Sequence, residues 1–249
     1  RHVHAEFSSS VDFNWNGSPT VLPMFRQETC AVMLTFENQP DTLRDTIEVL
    51  SIRPVQGFVL SDFESGLNPG WTPFIQSGAN MSFTVRNDGL AAQGNNYYEM
   101  AGAVTWDWLI GMIDMPASAY NVEHFPLSNN ASEVYFNMML YKPEALDNGL
   151  TLIQFREDDN GDGNYSSGSE DLWAFQIQGG ADGWSIISKK YEDIVTLVNG
   201  AEAPPVGNGL HEPDKIVQVS VLFLANPASG FSQAYLDYMT FTEGGPLQP

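Results

Sequence analysis

Short runs in which hydrophobic and polar residues alternate are the main pattern along this chain. The clearest of them are residues 134–141, 172–178, 216–224 and 235–241. In the first run the hydrophobic positions are Val134, Phe136, Met138 and Leu140. A period of two predicts strands that bury one face. No stretch of eleven or more residues holds a convincing 3.6-residue period, so we expect an all-β protein.

Turn residues separate these runs at short intervals. The chain has 22 Gly and 15 Pro, and several Asn-Gly and Asp-Gly steps end the strand-like stretches. Many short strands between such turns predict a jelly-roll β-sandwich. A boundary near residues 52–57 divides the chain into a short N-terminal β segment, 1–55, and a jelly-roll domain, 56–249. Because about 55 residues make a marginal core, the front segment is either an Ig-like fragment or a set of extra strands packed on the main domain.

The charge of the chain limits its partners. With 10 Lys+Arg against 31 Asp+Glu, the formal net charge is −21. Such a chain repels phosphate backbones and anionic membrane surfaces, so we expect no nucleic-acid partner. Neutral glycans and cations stay compatible, and the charge also maintains solubility. The single cysteine, Cys30, excludes an intrachain disulfide. No apolar run is long enough for a membrane span, and we expect that a removed signal peptide preceded Arg1.

The acidic stretch 158–163, DDNGDG, fits the front half of a calcium loop. Oxygen atoms at alternate positions can converge on one hard cation. An EF-hand is rejected because its twelfth position would be Ser169 and no helices flank the loop. We therefore predict a structural calcium site in a β-loop, with the ligands Asp158, Asn160, Asp162, Glu170 and Asp171. The alternative is a solvated hairpin loop, since turn chemistry alone favours the same residues.

Aromatic residues are the candidates for ligand binding. Sugar rings stack on Trp or Tyr, while amides and carboxylates bind the hydroxyls. The predicted carbohydrate-binding residues are Trp71, Trp106, Trp108, Tyr97 and Asn96. Further hydroxyl partners are Asn95, Asp107 and Gln76. Trp173 and Trp184 lie in strand-like runs and are predicted to be core residues, which is also the alternative for the other tryptophans.

Catalytic motifs are missing from the sequence. We find no G-x-S-x-G, no H-E-x-x-H, no phosphate loop and no dinucleotide-binding glycine pattern. We therefore expect a protein that is not an enzyme. A glycosidase needs only two carboxylates and leaves no motif, so an acid-pair glycoside hydrolase or lyase stays an alternative.

Several segments between Gly57 and Leu247 resemble a known family in pattern and order. They are residues 60–64 (LSDFE) with Trp71, 94–100 (GNNYYEM), 157–163 (EDDNGDG) with Glu170 and Asp171, 183–188 (GWSIIS), 191–193 (YED), 213–216 (PDKI) and 235–242 (YLDYMTFT). This part resembles the galactose-binding-like jelly-roll domains of surface glycan-binding lipoproteins in Bacteroidetes polysaccharide-utilisation systems.

The resemblance implies non-catalytic binding of a polysaccharide or oligosaccharide at the bacterial cell surface. It also implies a lipid anchor upstream and a location at the outer face of the outer membrane or in the periplasm. We expect a monomer. A structural or adhesive module that binds other proteins is the first alternative.

Overall fold

A computed structural model of the protein describes residues 3–7, 26–36, 46–53, 57–76, 80–103, 109–142, 150–178, 181–224 and 231–247. The backbone separates into two units, Arg1–Val55 with Leu247–Pro249, and Gln56–Pro246. That the two parts are independent domains stays a prediction. Within the described ranges, no helix has both the length and the apolar character needed to cross a membrane.

The first unit contains one antiparallel sheet of three strands. Its strands are β1 (Val3–Phe7), β2 (Arg26–Phe36) and β3 (Thr46–Arg53). They are arranged in the order β1-β2-β3, so β2 is the central strand.

The second unit contains the remaining strands. They are β4 (Gly57–Ser61), β5 (Thr72–Ile75), β6 (Asn80–Arg86), β7 (Tyr97–Ala103), β8 (Leu109–Pro116), β9 (Val134–Lys142), β10 (Leu150–Glu157), β11 (Leu172–Gln178), β12 (Ala181–Lys190), β13 (Thr196–Val198), β14 (Ala201–Ala203), β15 (Ile216–Leu224) and β16 (Phe231–Glu243). Short 3-10 turns lie at Ala117–Tyr120, Tyr191–Asp193 and Pro213–Lys215.

These strands form two main antiparallel sheets. A five-stranded sheet has the order β11-β10-β15-β8-β5, and a six-stranded sheet has the order β12-β9-β16-β7-β6 with β4 beside β16. Strands β13 and β14 form a separate hairpin. The arrangement confirms the predicted all-β sandwich.

Aromatic side chains join the two sheets in the core. Phe136 of β9 and Phe241 of β16 belong to the six-stranded sheet, and Phe155 of β10 belongs to the five-stranded sheet. The ring centroid of Phe136 lies 5.2 Å from that of Phe155 and 5.6 Å from that of Phe241. All three side chains are fully buried. The predicted alternation along β9 is confirmed, because its hydrophobic positions all lie in this core.

A β-bulge divides β16 into two halves. The register shifts between Asp237 and Thr240, and Tyr238 adopts a left-handed φ of 42°. The first half, Phe231–Leu236, pairs with β7, and the second half pairs with β4. Because of the bulge, the adjacent residues Asp237 and Tyr238 are both buried, whereas a regular strand would turn one of them outward.

Candidate functional site

One row of side chains crosses the outer face of the six-stranded sheet. Trp184 of β12 lies opposite Tyr141 of β9, and Tyr141 lies opposite Tyr235 of β16. Tyr235 in turn lies opposite Glu99 of β7, which is paired with Thr84 of β6. At about 4.8 Å between neighbouring strands, the row spans about 19 Å. It is long enough to contact several units of a polymeric ligand.

The neighbours of these residues along each strand show that the row faces away from the core. Leu140, Ala234, Leu236 and Met100 are all core residues. Since successive side chains point to opposite faces of a sheet, Tyr141, Tyr235 and Glu99 point outward.

The aromatic rings of the row pack together with the buried ring of Tyr97 into one cluster, which we call the aromatic groove (Trp184, Tyr141, Tyr235 and Tyr97). Ring centroids lie 5.7 Å apart for Trp184 and Tyr141, and 5.1 Å apart for Tyr141 and Tyr235. Tyr97 packs beneath, 5.0 Å from Tyr235. Trp184, Tyr141 and Tyr235 are half-buried, so each keeps part of its ring exposed to solvent.

The loop between β6 and β7, residues 87–96, forms one wall of the groove. Trp184 Nε1 donates a hydrogen bond of 2.7 Å to the carbonyl of Leu90. The backbone N–H of Gln93 donates to Asp237 Oδ2 at 2.9 Å. Burial raises the pKa of this Asp237 carboxyl to about 6. The loop is therefore fixed to both β12 and β16.

A second anchor of the same loop is Glu64. Its Oε1 accepts hydrogen bonds of 2.8 Å from the backbone N–H groups of Asn95 and Asn96. The hydrogen bond from the Asn96 N–H group, supported by those from Asn95, lowers the pKa of Glu64 below its ordinary value, although burial acts in the opposite direction. Glu64 therefore holds the end of the loop as a carboxylate.

Polar groups occupy the other end of the row. Glu99 Oε1 accepts hydrogen bonds from Arg86 Nε at 3.1 Å and from Arg86 Nη2 at 2.6 Å. Glu99 Oε2 accepts from Gln233 Nε2 at 3.3 Å. The groove thus combines aromatic surface with a few fixed polar groups, a composition typical of ligand-binding sites.

Trp71 lies elsewhere, in the core. It is 6% exposed, and its Nε1 donates a 3.1 Å hydrogen bond to the hydroxyl of Tyr120. Its ring packs edge-on against Phe63, with centroids 6.1 Å apart. The prediction that Trp71 is a stacking platform is therefore wrong, because neither ring face is open to a sugar.

Asn96 and Tyr97 are close to the groove but have structural contacts. Asn96 Oδ1 accepts from Asn87 Nδ2, and Asn96 Nδ2 donates to the carbonyl of Glu64. Asn96 thus fixes the loop in place, and its role as a hydroxyl partner stays a prediction. Tyr97 lies in the aromatic groove but is only 1% exposed, and its hydroxyl donates to Asp88. Trp106, Trp108 and Asp107 lie outside the described residues.

Trp184 is the residue that sequence reasoning placed wrongly, since it was predicted to be core. The available signal was the outward face of β9, where Tyr135 and Tyr141 alternate with buried positions. The pairing of Tyr141 with Trp184 and Tyr235 depends on the register between strands that are distant in sequence. A single sequence does not reveal that register.

The acidic loop has a different organisation from the predicted one. Both carboxylate oxygens of Asp158 are occupied by the backbone N–H groups of Gly161, Asp162 and Gly163 and by His124 Nε2. Asp158 therefore organises the turn, as short polar side chains commonly do.

The second carboxylate of this loop, Glu170, is also engaged. Its two oxygens accept from the N–H groups of Asn160 and Ser166. The ligand set of Asp158, Asn160, Asp162, Glu170 and Asp171 stays a prediction. Of its members, only Asp171 belongs to the cluster of converging carboxylates among the described residues.

That cluster consists of Glu157, Asp159 and Asp171, which we call the acidic cluster. One ligand atom from each lies within 4.8 Å of the others, so the three could hold a metal ion. Glu157 and Asp171 are fully buried. Asp159 Oδ1 is buried and accepts no hydrogen bond from the described residues. Carboxylate oxygens are the ligands of hard cations, and the cluster fits such an ion.

Backbone and side-chain donors surround the acidic cluster. Asp171 accepts from the N–H groups of Gly207 and Gly209. Glu157 accepts from Trp173 Nε1 and from the hydroxyl of Tyr191, both at 2.8 Å. Burial nevertheless raises the pKa of Glu157 to about 7. Burial of its carboxylates is thus the cost that a bound cation would offset in this cluster.

No family model and no curated protein matches the chain. Solved structures do match. A family 11 carbohydrate-binding module from Clostridium thermocellum, in complex with a β-1,3-1,4-mixed-linked tetrasaccharide, superposes with a TM-score of 0.52 at 16% identity over 77% of this chain and 98% of that chain. The family 11 module of a cellulosomal cellulase of the same organism gives a TM-score of 0.51 at 16% identity over 77% and 96%.

An exo-β-agarase also matches, with a TM-score of 0.50 at 8% identity, over 77% of this chain but 26% of that chain. At such low identities the similarity establishes the fold alone. That fold is the jelly-roll β-sandwich of carbohydrate-binding modules, and the predicted fold class is confirmed.

Proposed function

We propose that this protein binds a polysaccharide or oligosaccharide, without catalysis, along the aromatic groove. The single observation that carries the proposal is the row Trp184–Tyr141–Tyr235, which three neighbouring strands hold side by side with rings partly exposed. Apolar ring faces stack on sugar C–H groups, and the polar end of the row supplies partners for hydroxyls. The similarity in fold to a module solved with a tetrasaccharide supports the same proposal.

The carboxylates near the groove favour binding over catalysis. Glu99 is held by Arg86 and Gln233, and Asp237 is fully buried beneath the loop 87–96. A glycosidase needs two carboxyl groups that reach opposite sides of one glycosidic bond. Asp237 has no access to a ligand in the groove, so these two groups do not form such a pair.

We also propose that the acidic cluster binds Ca²⁺ in a structural role. Its buried, irregular set of carboxylates suits Ca²⁺ better than Mg²⁺, which requires octahedral geometry and retains water. The buried oxygen of Asp159 that lacks a hydrogen-bond partner supports this assignment. A thermal melt with Ca²⁺ and with chelator tests it. Asp159→Asn should remove the stabilisation by Ca²⁺, whereas Asp162→Asn, on an exposed residue of the predicted ligand set, should retain it. Equal melting temperatures of the wild type with Ca²⁺ and with chelator would contradict the proposal.

The cellular setting is a further part of the proposal. The resemblance to Bacteroidetes lipoproteins supports a location at the outer face of the outer membrane or in the periplasm, with a lipid anchor upstream. We propose in addition that the protein is a monomer. Protease treatment of intact host cells tests this setting. Resistance of the protein in intact cells, together with its recovery in the soluble cell interior, would contradict it.

A glycan array followed by affinity electrophoresis tests the binding function. The wild type should be retained by at least one class of polysaccharide. Trp184→Ala and Tyr235→Ala should weaken that retention by at least about tenfold, or about 1.4 kcal/mol. The matched control is Phe74→Ala, which removes a 39% exposed ring from β5 of the other sheet. Folding is checked by circular dichroism.

Two results would contradict the proposal. One is a folded wild type that is retained by no glycan, which would favour a module that binds proteins. The other is unchanged retention of a glycan by both groove variants, which would place the binding site elsewhere on the molecule.

A further inference from the structure

The aromatic row ends at a pair of opposite charges, Arg86 and Glu99. We infer that this pair makes the groove selective for uncharged glycans over glycans that carry carboxylates, and that Glu99 sets the selectivity. The inference rests on the proposed function and goes beyond it by naming the chemical class of the ligand.

The two hydrogen bonds of this pair occupy one donor edge of the Arg86 guanidinium. Nε and Nη2 of Arg86 both donate to the same oxygen of Glu99. That edge is one of those with which arginine binds a carboxylate or sulfate through two parallel hydrogen bonds. Arg86 is 46% exposed at its side chain and Glu99 only 10%, so Arg86 is the member that a ligand reaches first. An arriving acidic sugar thus meets an arginine whose charge is already neutralised.

Two further carboxylates lie close to the groove. Asp88 accepts the hydroxyl of Tyr97 beneath the aromatic rings, and Asp237 lies under the loop 87–96. Neither forms a salt bridge with a described residue. An acidic sugar would therefore be repelled, and its own charge would lose hydration without gaining a partner.

Lys190, a second cation on the same face of the sheet, is too distant to interact strongly with a ligand at the Arg86–Glu99 pair. Lys190 lies six residues beyond Trp184 on β12, about 20 Å along the strand. It is paired with Glu192. Uncharged hydroxyls, in contrast, can share Glu99 and Gln233 as hydrogen-bond partners without an electrostatic cost.

The alternative is that the pair only stabilises the sheet. A partly exposed ion pair contributes little to stability. In that case its removal would change stability slightly and would affect neutral and acidic ligands alike. The relative affinity for the two kinds of glycan therefore separates the two roles.

The experiment compares polysaccharides that differ only in charge. The probes are β-1,3-1,4-glucan and β-1,4-galactan, each in native form, with the C6 hydroxyls oxidised to carboxylates, and with those carboxylates converted to methyl esters. The proteins are the wild type, Glu99→Gln and the double variant Arg86→Gln/Glu99→Gln. Affinity electrophoresis at low salt gives the affinity of each protein for each polymer.

The wild type should bind a native polymer at least about tenfold more tightly than its oxidised form, and esterification should restore binding. Glu99→Gln liberates the guanidinium and should bind the oxidised polymer at least about fivefold more tightly than the wild type does. The double variant should lose this gain. Raising NaCl from about 20 mM to about 300 mM should reduce the difference between the wild type's affinities for native and oxidised polymer, because screening weakens the repulsion.

Equal affinity of the wild type for native and oxidised polymer would overturn the inference. So would a Glu99→Gln variant whose ratio of affinities for native and oxidised polymer equals that of the wild type. If Glu99→Gln does not fold, the salt series on the wild type is the deciding measurement. A preference for native over oxidised polymer that does not change with salt would overturn the inference. Retention of no polymer in any form overturns the proposed function itself, which is a distinguishable result.

Discussion

Tyr141 and Tyr235 lie directly opposite each other on β9 and β16, with ring centroids 5.1 Å apart and an angle of 34° between the rings. Neither ring reaches the core, because their strand neighbours occupy the inner face of the sheet. Both side chains are half-buried, so part of each stays accessible to a ligand on this face of the sheet. Their arrangement is the basis of the binding account.

The ring of Tyr141, rather than its hydroxyl, should carry the binding. We expect Tyr141→Phe to retain glycan affinity within about threefold and Tyr141→Leu to lose at least about tenfold, since leucine fills similar space without a flat face. Isothermal titration calorimetry with the retained glycan measures both. Equal losses in the two variants would show that the hydroxyl, and not the ring, contacts the ligand.

The fold could be predicted from the sequence because its signal is local. The alternation along residues 134–141 placed Phe136 and Leu140 in the core, where the structure has them. The prediction that Trp173 is a core residue is likewise confirmed, at 4% exposure.

The site could not be predicted in the same way because it depends on register. Trp184 and Tyr141 are 43 positions apart along the printed sequence, and only the pairing of β12 with β9 brings them together. The acidic stretch was recognised as a candidate cation site, but Asp158 proved to organise the turn. The converging oxygens come from Glu157 and Asp159, and Asp171 on the other side of the loop.

Trp71 should behave as a core residue. We expect Trp71→Ala to lower the free energy of unfolding by about 3–5 kcal/mol, the usual cost of removing a buried aromatic side chain. Urea denaturation measures this change. The control, Phe74→Ala, lies three residues away on an exposed part of β5 and should cost about 1 kcal/mol or less. A Trp71→Ala variant that is stable but loses glycan affinity would show that Trp71 belongs to the binding site.

The wall of the groove should depend on the contact between Gly94 and Glu64. Both Gly94 and Gly89 have left-handed φ angles, 62° and 86°. A Cβ atom at Gly94 would collide with the Glu64 carboxylate, whereas at Gly89 nothing lies within 4 Å. Gly94→Ala should therefore release the end of the loop, accelerate hydrogen exchange across residues 87–96 and weaken glycan retention.

Gly89→Ala is the matched control for that variant. It carries the same conformational penalty of about 1–2 kcal/mol for a left-handed alanine but leaves Glu64 in place. Similar exchange rates in the two variants would show that Glu64 does not hold the wall.

The acidic cluster should make the chelated protein less stable as the pH rises. Burial raises the folded-state pKa of Glu157 from 4.5 to about 7, so the folded protein binds the proton more tightly than the unfolded chain. This stabilisation is fully present below about pH 4.5. The free energy of unfolding then falls as the pH rises through about 7, and the total loss is about 3 kcal/mol. Asp237, with a pKa of about 6, contributes with the same sign.

Urea denaturation between pH 5 and pH 8 in chelator measures this dependence, and Glu157→Gln should flatten it without removing the part due to Asp237. Addition of Ca²⁺ at pH 8 should restore stability to the wild type. A stability that rises with pH over this range, with the same slope in both proteins, would contradict the assignment of Glu157.

The most direct test of the binding account is the response of the tryptophan indole N–H signals in a ¹H–¹⁵N NMR spectrum during titration with the retained glycan. The chain has six tryptophans, and single Trp→Phe variants assign their signals. We predict that the Trp184 signal shifts in proportion to glycan occupancy while the signals of the buried Trp71 and Trp173 stay in place. An unshifted Trp184 signal at saturation with glycan would contradict the account and place the binding site elsewhere.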